Sequence, residues 1–419
     1  MAFAPNTGTL AGGRTKSVIT ALLPIMAVVV VAYLVTGIAM PVLPIYVHQG
    51  LGLGTFVVGL VAGAQFAATL LSRLWAGRYA DTRGPKRAVI AGLAVAGAAG
   101  LLYLISVRFA RTPNTSVAVL LLGRALLGVM ESFVITGALS WGVALAGTQN
   151  TGTVMSWVGT ALYTAYAIGA PAGSVLYATY GFAAVGLATM LLPLATVGLV
   201  APLRSIVPSA ADAPSLTDVV RTIWRPGVAL ALSGVGFAAI TTFVPLLFIE
   251  RGWSRAWLAL TTFSVAFMVA RVALGHLPDR IGGARVALVC MVLEAVGLGV
   301  VWQASGFAVA LLGVALSGLG YSLVYPGLGV EAVRSAPAES RGVAMGTYTA
   351  FLDLSLGLAS PALGLIADTF SLGAVFLVSA VIVVGTVGVA WLLLFPRPAA
   401  HRVAADNSNR RRPLVRRRA

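Results

Sequence analysis

Cysteine and charged residues are scarce in this chain of 419 residues. Cys290 is the only cysteine, so an intramolecular disulfide is excluded. Charged residues make up 10% of the sequence, against about 25% in soluble domains, while hydrophobic residues make up 59%. So few charges cannot cover the surface of a soluble protein of this size. The composition therefore predicts a protein that crosses a membrane many times.

Several sequence motifs that would indicate an enzyme are also missing. The chain has no phosphate-binding loop, no Cys/His cluster with metal-ligand spacing and no recognisable catalytic constellation. We therefore expect no enzymatic activity, no metal site, no cofactor and no use of ATP as the energy source. A cleavable signal peptide is not expected either, because the first apolar run, 18–46, is too long and lacks a small-residue cleavage site.

The apolar runs are long, numerous and evenly distributed. At about 20 residues per span plus short connections, roughly twelve helices fit in the chain. The first six spans are expected near 18–46, 55–77, 86–107, 117–145, 153–180 and 182–203, and the second six near 227–249, 256–277, 284–303, 307–332, 342–369 and 372–395. The predicted organisation is a first bundle over 1–203, a cytoplasmic linker over 204–226, a second bundle over 227–395 and a basic cytoplasmic tail over 396–419.

The basic residues are distributed unequally between the two sides of these spans. If the N-terminus is cytoplasmic, the inner segments hold 21 of the 28 Lys and Arg residues and the outer loops hold 4. This asymmetry predicts that both termini lie in the cytoplasm. The net charge of +16 sits between apolar runs and in the arginine-rich tail. It therefore indicates orientation in the membrane and contact of the tail with anionic lipid, and we expect no nucleic-acid partner.

A charged motif at the end of the second span occurs twice. Gly84 followed by Pro85 predicts a tight turn between two helices, because Gly tolerates positive φ and Pro starts the next helix. Arg73, before the motif, has a counterpart in Arg271, 198 residues later, and four residues of the motif have counterparts at the same spacing. These matched spacings indicate one membrane unit that is present in two copies. The motif residues are Gly77, Asp81, Arg83, Gly84, Lys86 and Arg87 in the first copy and Gly275, Asp279, Gly282 and Arg285 in the second.

The first copy resembles the loop 2–3 signature of the major facilitator superfamily of transporters, and the resemblance extends over essentially the whole chain. It implies an all-α integral membrane protein with twelve transmembrane helices in two pseudo-symmetric six-helix bundles. Span 5 carries Gly159, Gly169, Pro171 and Gly173, which is similar to the motif of the superfamily's antiporters. Pro361 repeats Pro171 in span 11, 190 residues later. The resemblance favours the efflux branch of the superfamily. It therefore implies a monomer in a bacterial cytoplasmic (inner) membrane.

Four ionisable residues fall well inside predicted spans: Arg124, Glu131, Glu294 and Asp353. Each needs a partner, an aqueous cavity or a neutral form, because a charge in hydrocarbon costs several kcal/mol. Arg124 and Glu131 are two turns apart on span 4, so both can line one cavity, although they cannot pair directly. Arg124 with Gly128 resembles the family's span 4 motif, which implies an influence on proton transfer.

Glu131, Asp353 and Arg124 are accordingly the candidates for proton coupling. Glu131 lies near the midpoint of its span, where a carboxyl group could exchange protons or, alternatively, hold a helix contact by hydrogen bonding. Asp353 could be a second proton site or a contact to substrate. Glu294 is expected to be structural, because span 9 is peripheral in the family that the sequence resembles.

Aromatic and polar residues on central spans are the candidates for the substrate cavity. Any one of them is more often a packing residue than a ligand contact. Acids next to aromatic rings would suit an amphiphilic or cationic solute. The candidates are Tyr33, Gln65, Trp141, Tyr163, Phe237, Tyr321 and Tyr325, of which Tyr321 occupies the repeat position of Glu131 at an offset of 190.

The sequence as a whole predicts a secondary active transporter that works by alternating access and uses the proton gradient. We expect proton-coupled export of a small amphiphilic molecule or metabolite, such as a drug or sugar, with Asp81 and Asp279 latching the cytoplasmic side when it closes. The alternative is a proton-coupled uptake symporter for a sugar or organic acid. A non-transporting membrane receptor is a further, weaker alternative.

Overall fold

The computed structural model describes residues 8–147, 150–203, 205–206, 216–253, 255–335 and 341–394. All regular secondary structure in these ranges is helical. The predicted tail 396–419 and residues 207–215 of the predicted linker lie outside the described residues.

Fourteen α-helices and one short π-helical segment, Tyr46–Gly50, make up the described part of the chain. The helices are α1 (Gly8–Ile45), α2 (Thr55–Arg83), α3 (Pro85–Arg108), α4 (Pro113–Ala146), α5 (Thr151–Tyr180), α6 (Phe182–Val200), α7 (Leu216–Glu250), α8 (Trp257–Leu274), α9 (Leu277–Ile281), α10 (Gly283–Gln303), α11 (Phe307–Ser322), α12 (Val324–Ser335), α13 (Arg341–Thr369) and α14 (Leu372–Leu394). Leu323 separates α11 from α12, which continue as one span, and α9 is a short helix before α10.

Eleven spans in the described residues are long and apolar enough to cross a membrane. The twelfth long helix of the described residues is α5, which has 30 residues and carries Tyr163, Thr164 and Tyr166 in its middle. Helices suit these segments because a helix satisfies its own backbone hydrogen bonds, which hydrocarbon cannot do.

Some helices continue past the predicted span ends. α2 runs to Arg83 instead of ending near 77, and α7 begins at Leu216, inside the range predicted as linker. Hydropathy marks only the part of a helix that sits in hydrocarbon. The backbone hydrogen bonding continues into the aqueous region until a residue such as Gly84, with φ of 96°, ends it.

The helices form two bundles with the same internal plan. α1 to α6 pack against one another, as do α7 to α14, and the bundles meet where α2 packs on α13, α5 on α8 and α1 on α7. The repeat predicted from the sequence falls on equivalent elements, since Pro171 lies inside α5 and Pro361 inside α13. The predicted all-α fold with twelve spans in two pseudo-symmetric six-helix bundles is confirmed.

An even number of spans brings the start of α1 and the end of α14 to the same side, which we call the terminal end. Toward the opposite end, α2 and α13 approach so closely that only small residues fit. A Cβ atom at Gly59 would collide with the Ser360 carbonyl, and one at Gly63 would lie 2.7 Å from the Gly357 oxygen. A Cβ atom at Gly77, toward the terminal end, would meet nothing within 4 Å.

The second junction, between α5 and α8, repeats this asymmetry. The Thr164 hydroxyl lies 3.3 Å from the Met268 sulfur, and the Thr261 hydroxyl donates to the Ala167 carbonyl at 3.4 Å. A Cβ atom at Gly159, toward the terminal end of α5, would again meet nothing within 4 Å. The two bundles are thus packed together at the opposite end and lack such contacts at these terminal-end positions.

Candidate functional site

An ion pair joins the two bundles near the middle of the molecule. Arg73 on α2 donates from Nε to the Asp353 Oδ2 atom on α13 at 2.9 Å, and its Nη2 donates to the same oxygen. Asp353 is only 4% exposed. The sequence predicted that each charge inside a span needs a partner, but it did not identify these two as a pair. Their separation of 280 positions leaves no local signal of their contact.

Glu131 accepts a hydrogen bond from Gln65 Nε2 at 2.8 Å, which links α4 to α2. It also lies within electrostatic reach of Asp353 and Arg73. We call Glu131, Gln65, Arg73 and Asp353 the central charge cluster. The predicted proton-coupling candidates Glu131 and Asp353 therefore belong to one group, and predicted cavity residue Gln65 is part of it.

The close approach of α2 and α4 positions this cluster. A Cβ atom at Gly128 would lie 2.9 Å from the Thr69 backbone nitrogen, so only glycine fits there without movement. The Thr69 hydroxyl reaches the Gly128 carbonyl at 3.1 Å, and the hydroxyl groups of Ser72 and Ser132 contact each other one turn further on. The close packing of α2 against α4 therefore explains why position 128, in the Arg124–Gly128 pattern, is a glycine.

Arg124 is buried and donates from Nε to the Val61 carbonyl at 3.2 Å. Together with Thr36, Gln65 and Thr241 it lines a small cavity between α1, α2, α4 and α7, toward the opposite end. Arg124 does not pair with Glu131 among the described contacts, but the prediction that both line one cavity is met only by Arg124, since Glu131 is not part of the lining. Gln65 connects this cavity to the central charge cluster.

The remaining cavity candidates fall into two groups. On the first bundle, Tyr33 is fully buried beside Tyr166, with ring centroids 6.1 Å apart, and Trp141 is buried in the hydrophobic core. At the junction of the bundles, the Tyr163 ring stacks on Phe267 of α8 with centroids 3.5 Å apart.

The second group continues into the second bundle. Phe237 stacks on Tyr321 with centroids 5.1 Å apart, and Tyr321 lies 6.3 Å from the Phe267 ring. Tyr325 shares a hydrogen bond of 2.7 Å with the Thr349 hydroxyl. The junction therefore has a charged side formed by the central charge cluster and an aromatic side formed by α7, α8 and α11.

Glu294 lies in a different place from the other acids. It is 1% exposed on α10, and a Cβ atom at Gly236 of α7 would collide with its carboxyl group. The side chain is thus enclosed within the second bundle. It is therefore a matched comparison for Glu131, since both are carboxyl groups on membrane helices.

The repeated turns form as predicted. Gly84 has φ of 96° and joins α2 to α3, whose first residue is Pro85, and Gly282 has φ of 100° and joins α9 to α10. Lys86 donates from Nζ to the carbonyls of Ala201 at 2.7 Å and Leu203 at 2.6 Å, so it neutralises the negative end of α6. The hydrogen bonds of Lys86 therefore lie within the first bundle.

The acids of the predicted latch are exposed at the terminal end. Asp81 and Asp279 are both exposed, and neither forms an ion pair with another described residue. The basic motif residues Arg83, Arg87 and Arg285 are exposed too, while Gly77 and Gly275 are partly buried. The family that the sequence resembles would bring Asp81 close to the start of span 11, around residue 340, which lies partly outside the described residues.

A polar clamp at the opposite end was not predicted from the sequence. Asp368, on α13, accepts hydrogen bonds from the Thr55 backbone nitrogen at 2.7 Å and the Phe56 backbone nitrogen at 2.9 Å. The Thr55 hydroxyl adds contacts to Asp368 at 2.7 Å and to the Gly364 carbonyl at 2.9 Å. A carboxylate of one bundle therefore caps the positive N-terminus of a helix in the other, which favours the closed opposite end.

We expect Asp368→Asn to open the opposite end more often, since the amide loses the charge that interacts with the helix terminus. A cysteine at Thr36, in a background without Cys290, would report this opening by its reaction with a membrane-impermeant maleimide. Loss of about 1 kcal/mol from the closed state should raise the labelling rate about fivefold. Thr179→Val, at the same end but outside the clamp, is the control. An unchanged rate in Asp368→Asn would show that Asp368 does not hold this end closed.

The comparisons with known proteins agree with this architecture. The sequence profile of the Major Facilitator Superfamily matches residues 25–277 and 256–419. The chain is 43% identical over 370 residues to an uncharacterized MFS-type transporter of Salmonella typhimurium, covering 88% of this chain and 95% of that protein. It is 41% identical over 381 residues to the uncharacterized MFS-type transporter YhhS of Escherichia coli, covering 90% and 93% of the two chains.

The fold is also similar to that of a solved transporter. The nucleoside transporter NupG superposes with a TM-score of 0.74 at 13% identity, over 89% of this chain and 99% of NupG. At this identity the likeness concerns the fold alone. The curated relatives are transporters and not enzymes. The matched profile and these relatives together identify the chain as a member of the major facilitator superfamily of transporters.

Proposed function

We propose that this transporter is a proton-coupled secondary exporter of a small amphiphilic molecule or metabolite. It resides in a bacterial cytoplasmic membrane with both termini in the cytoplasm, so that the terminal end faces the cytoplasm. The proton gradient is its only energy source. The observation that carries the proposal is the central charge cluster, which places two carboxyl groups and an arginine where the bundles meet.

The position of the cluster supplies a coupling mechanism. The Arg73–Asp353 pair holds α2 against α13 while Asp353 is charged. Proton binding to Asp353 would remove most of that attraction, and a proton on nearby Glu131 would change the charge that Asp353 and Arg73 experience. The proton load of the cluster therefore shifts the equilibrium between the closed and open arrangements of the two bundles.

Export and uptake give opposite results in inverted membrane vesicles with an acidic interior. An exporter that exchanges protons accumulates its substrate inside these vesicles, and addition of substrate dissipates the pH gradient reported by a dye. The substrate is first chosen by a thermal-shift screen of small amphiphilic compounds on purified protein. Uphill uptake in right-side-out vesicles would instead support the symporter. Net movement of substrate down its own gradient without any proton movement would contradict proton coupling altogether.

We further expect Asp81→Asn to reduce transport about tenfold while the protein stays folded, because the exposed Asp81 acts only when the terminal end closes. Transport rate and apparent melting temperature in detergent are the two measurements. Asp279→Asn, in the second copy of the motif, serves as the matched variant. Transport by Asp81→Asn at the wild-type rate would count against the latch.

A further inference from the structure

The equivalent arginines in the two copies of the repeat have different neighbours. Arg73 on α2 and Arg271 on α8 are one repeat of 198 residues apart, and Arg73 pairs with Asp353 on α13. The position equivalent to Asp353 lies 190 residues earlier on α5, by the offset that relates Pro361 to Pro171, and it is Tyr163. Arg271 therefore faces a phenol where its counterpart faces a carboxylate.

The structure places Arg271 and Tyr163 beside the same ring. The guanidinium carbon of Arg271 lies 5.0 Å from the centroid of Phe267, on which Tyr163 stacks at 3.5 Å. Phenol groups of Tyr163, Tyr325, Tyr321 and Tyr348 are its strongest electrostatic neighbours. Arg271 is partly buried, forms no ion pair with another described residue, and its shielded Nε has no hydrogen-bond acceptor among them.

Three other charged residues inside the spans already have partners. Asp353 binds Arg73, Glu131 binds Gln65, and Arg124 donates to a backbone carbonyl. An arginine inside a membrane protein costs several kcal/mol unless a partner or water compensates it. Glu294 also lacks a hydrogen-bond partner at Oε2 among the described residues, but it is enclosed within the second bundle, so the uncompensated charge that borders the junction is that of Arg271. This positive charge reverses the expectation, drawn from the acids alone, that the pocket suits a cation.

We propose that Arg271 binds the anionic group of the transported substrate, a carboxylate or phosphonate attached to an aromatic or apolar body. A guanidinium pairs with two oxygens of such a group at once, and the stacked Tyr163–Phe267 rings lie beside it to receive the apolar part. The substrate thus supplies the acid that the second copy of the repeat lacks. This inference deepens the proposed function and depends on it.

The first test needs no knowledge of the substrate. Phenylglyoxal modifies accessible guanidinium groups, and mass spectrometry of the purified protein gives the modification rate at each arginine. Arg73, paired with Asp353, is the internal comparison. We expect Arg271 to react at least fivefold faster than Arg73 and to be protected by benzoate. Equal rates, or no protection by benzoate, would overturn the proposal.

The second test compares probes of different charge on the same protein. Benzoate and phenylphosphonate should raise the apparent melting temperature of the wild type, whereas methyl benzoate and benzylamine should not. Arg271→Gln should lose the stabilisation, and Tyr163→Asp should lose it as well, because the new carboxylate occupies the guanidinium. Arg108→Gln, at an exposed arginine outside the site, is the control and should keep it. Stabilisation by benzylamine, or equal benzoate binding by Arg271→Gln, would contradict the anion site.

Different results would contradict the proton-coupled exporter and the anion site at Arg271. If protons are coupled to movement of a cationic or neutral compound, the anion site is wrong and the exporter stands. If benzoate binds through Arg271 but no substrate-dependent proton movement occurs, the anion site stands and proton coupling is wrong. Retained stabilisation in Glu131→Gln would separate binding from coupling, since Glu131 lies in the charge cluster and not beside Arg271.

Discussion

Replacing Asp353 with asparagine should lower the free energy of unfolding by about 3 kcal/mol, because the substitution leaves the Arg73 charge buried without its partner. Arg73→Gln should also destabilise the protein, since it leaves the carboxylate of Asp353 alone. The double variant should lose less than the two single variants together, because neither charge then remains. Apparent melting temperatures of the four proteins in detergent give this comparison.

The exposed pair Arg334–Glu331 is a matched control within the same chain. Its atoms are 3.7 Å apart, and its side chains are 59% and 26% exposed. Removing either partner should change stability by less than about 1 kcal/mol, because solvent screens such pairs. If Asp353→Asn were no more destabilising than Glu331→Gln, the buried ion pair would not hold the bundles together as we argue. Additive effects of the Arg73 and Asp353 variants would lead to the same conclusion.

Glu131→Gln should abolish uphill transport while exchange of substrate across the membrane continues. The amide keeps the shape of the side chain and can still bond Gln65, but it cannot bind or release a proton. We expect substrate-driven proton movement to fall at least 100-fold, the size of effect typical when a positioned proton-transfer group is removed. Proteoliposomes allow both measurements, counterflow without a gradient and accumulation against one.

Glu294→Gln is the matched control for this substitution. Glu294 is more completely buried than Glu131, but it lies within the second bundle and away from the described contacts of the charge cluster. Its amide variant should therefore keep proton coupling, whatever happens to its stability. Coupling that survives in Glu131→Gln but disappears in Glu294→Gln would move the proton site from the first bundle to the second.

The periodic turns and apolar runs were sufficient to predict most of the fold. Each predicted span corresponds to one helix, except that span 307–332 is formed by α11 and α12 together, and Gly84 and Gly282 form the two repeated turns. These features are local, because hydrophobic length and a glycine with positive φ are properties of one segment. The ends were less certain, as with α7 from Leu216, because helices continue beyond the hydrocarbon.

The candidate site was predictable only in part. The cost of a charge in hydrocarbon singled out Glu131, Asp353 and Arg124, and the structure places each at a buried contact or cavity. The same reasoning could not tell that Arg73 is the partner of Asp353. It missed Asp368 as well, because a carboxyl group at a span end looks like an ordinary loop acid until its partner helix is known.

Hydropathy and repeat spacing are set residue by residue along the chain, and they were enough to predict a duplicated bundle of membrane helices with few interior charges. Which charges meet depends on how the helices pack against one another. Arg73 reaches Asp353 across 280 positions and Thr55 reaches Asp368 across 313, because α2 of one bundle lies against α13 of the other. The same packing places Arg271, the repeat of Arg73, beside the ring on which Tyr163 stacks and not beside an acid. The sequence could not predict this, because the faces on which helices pack are a property of the assembled bundles.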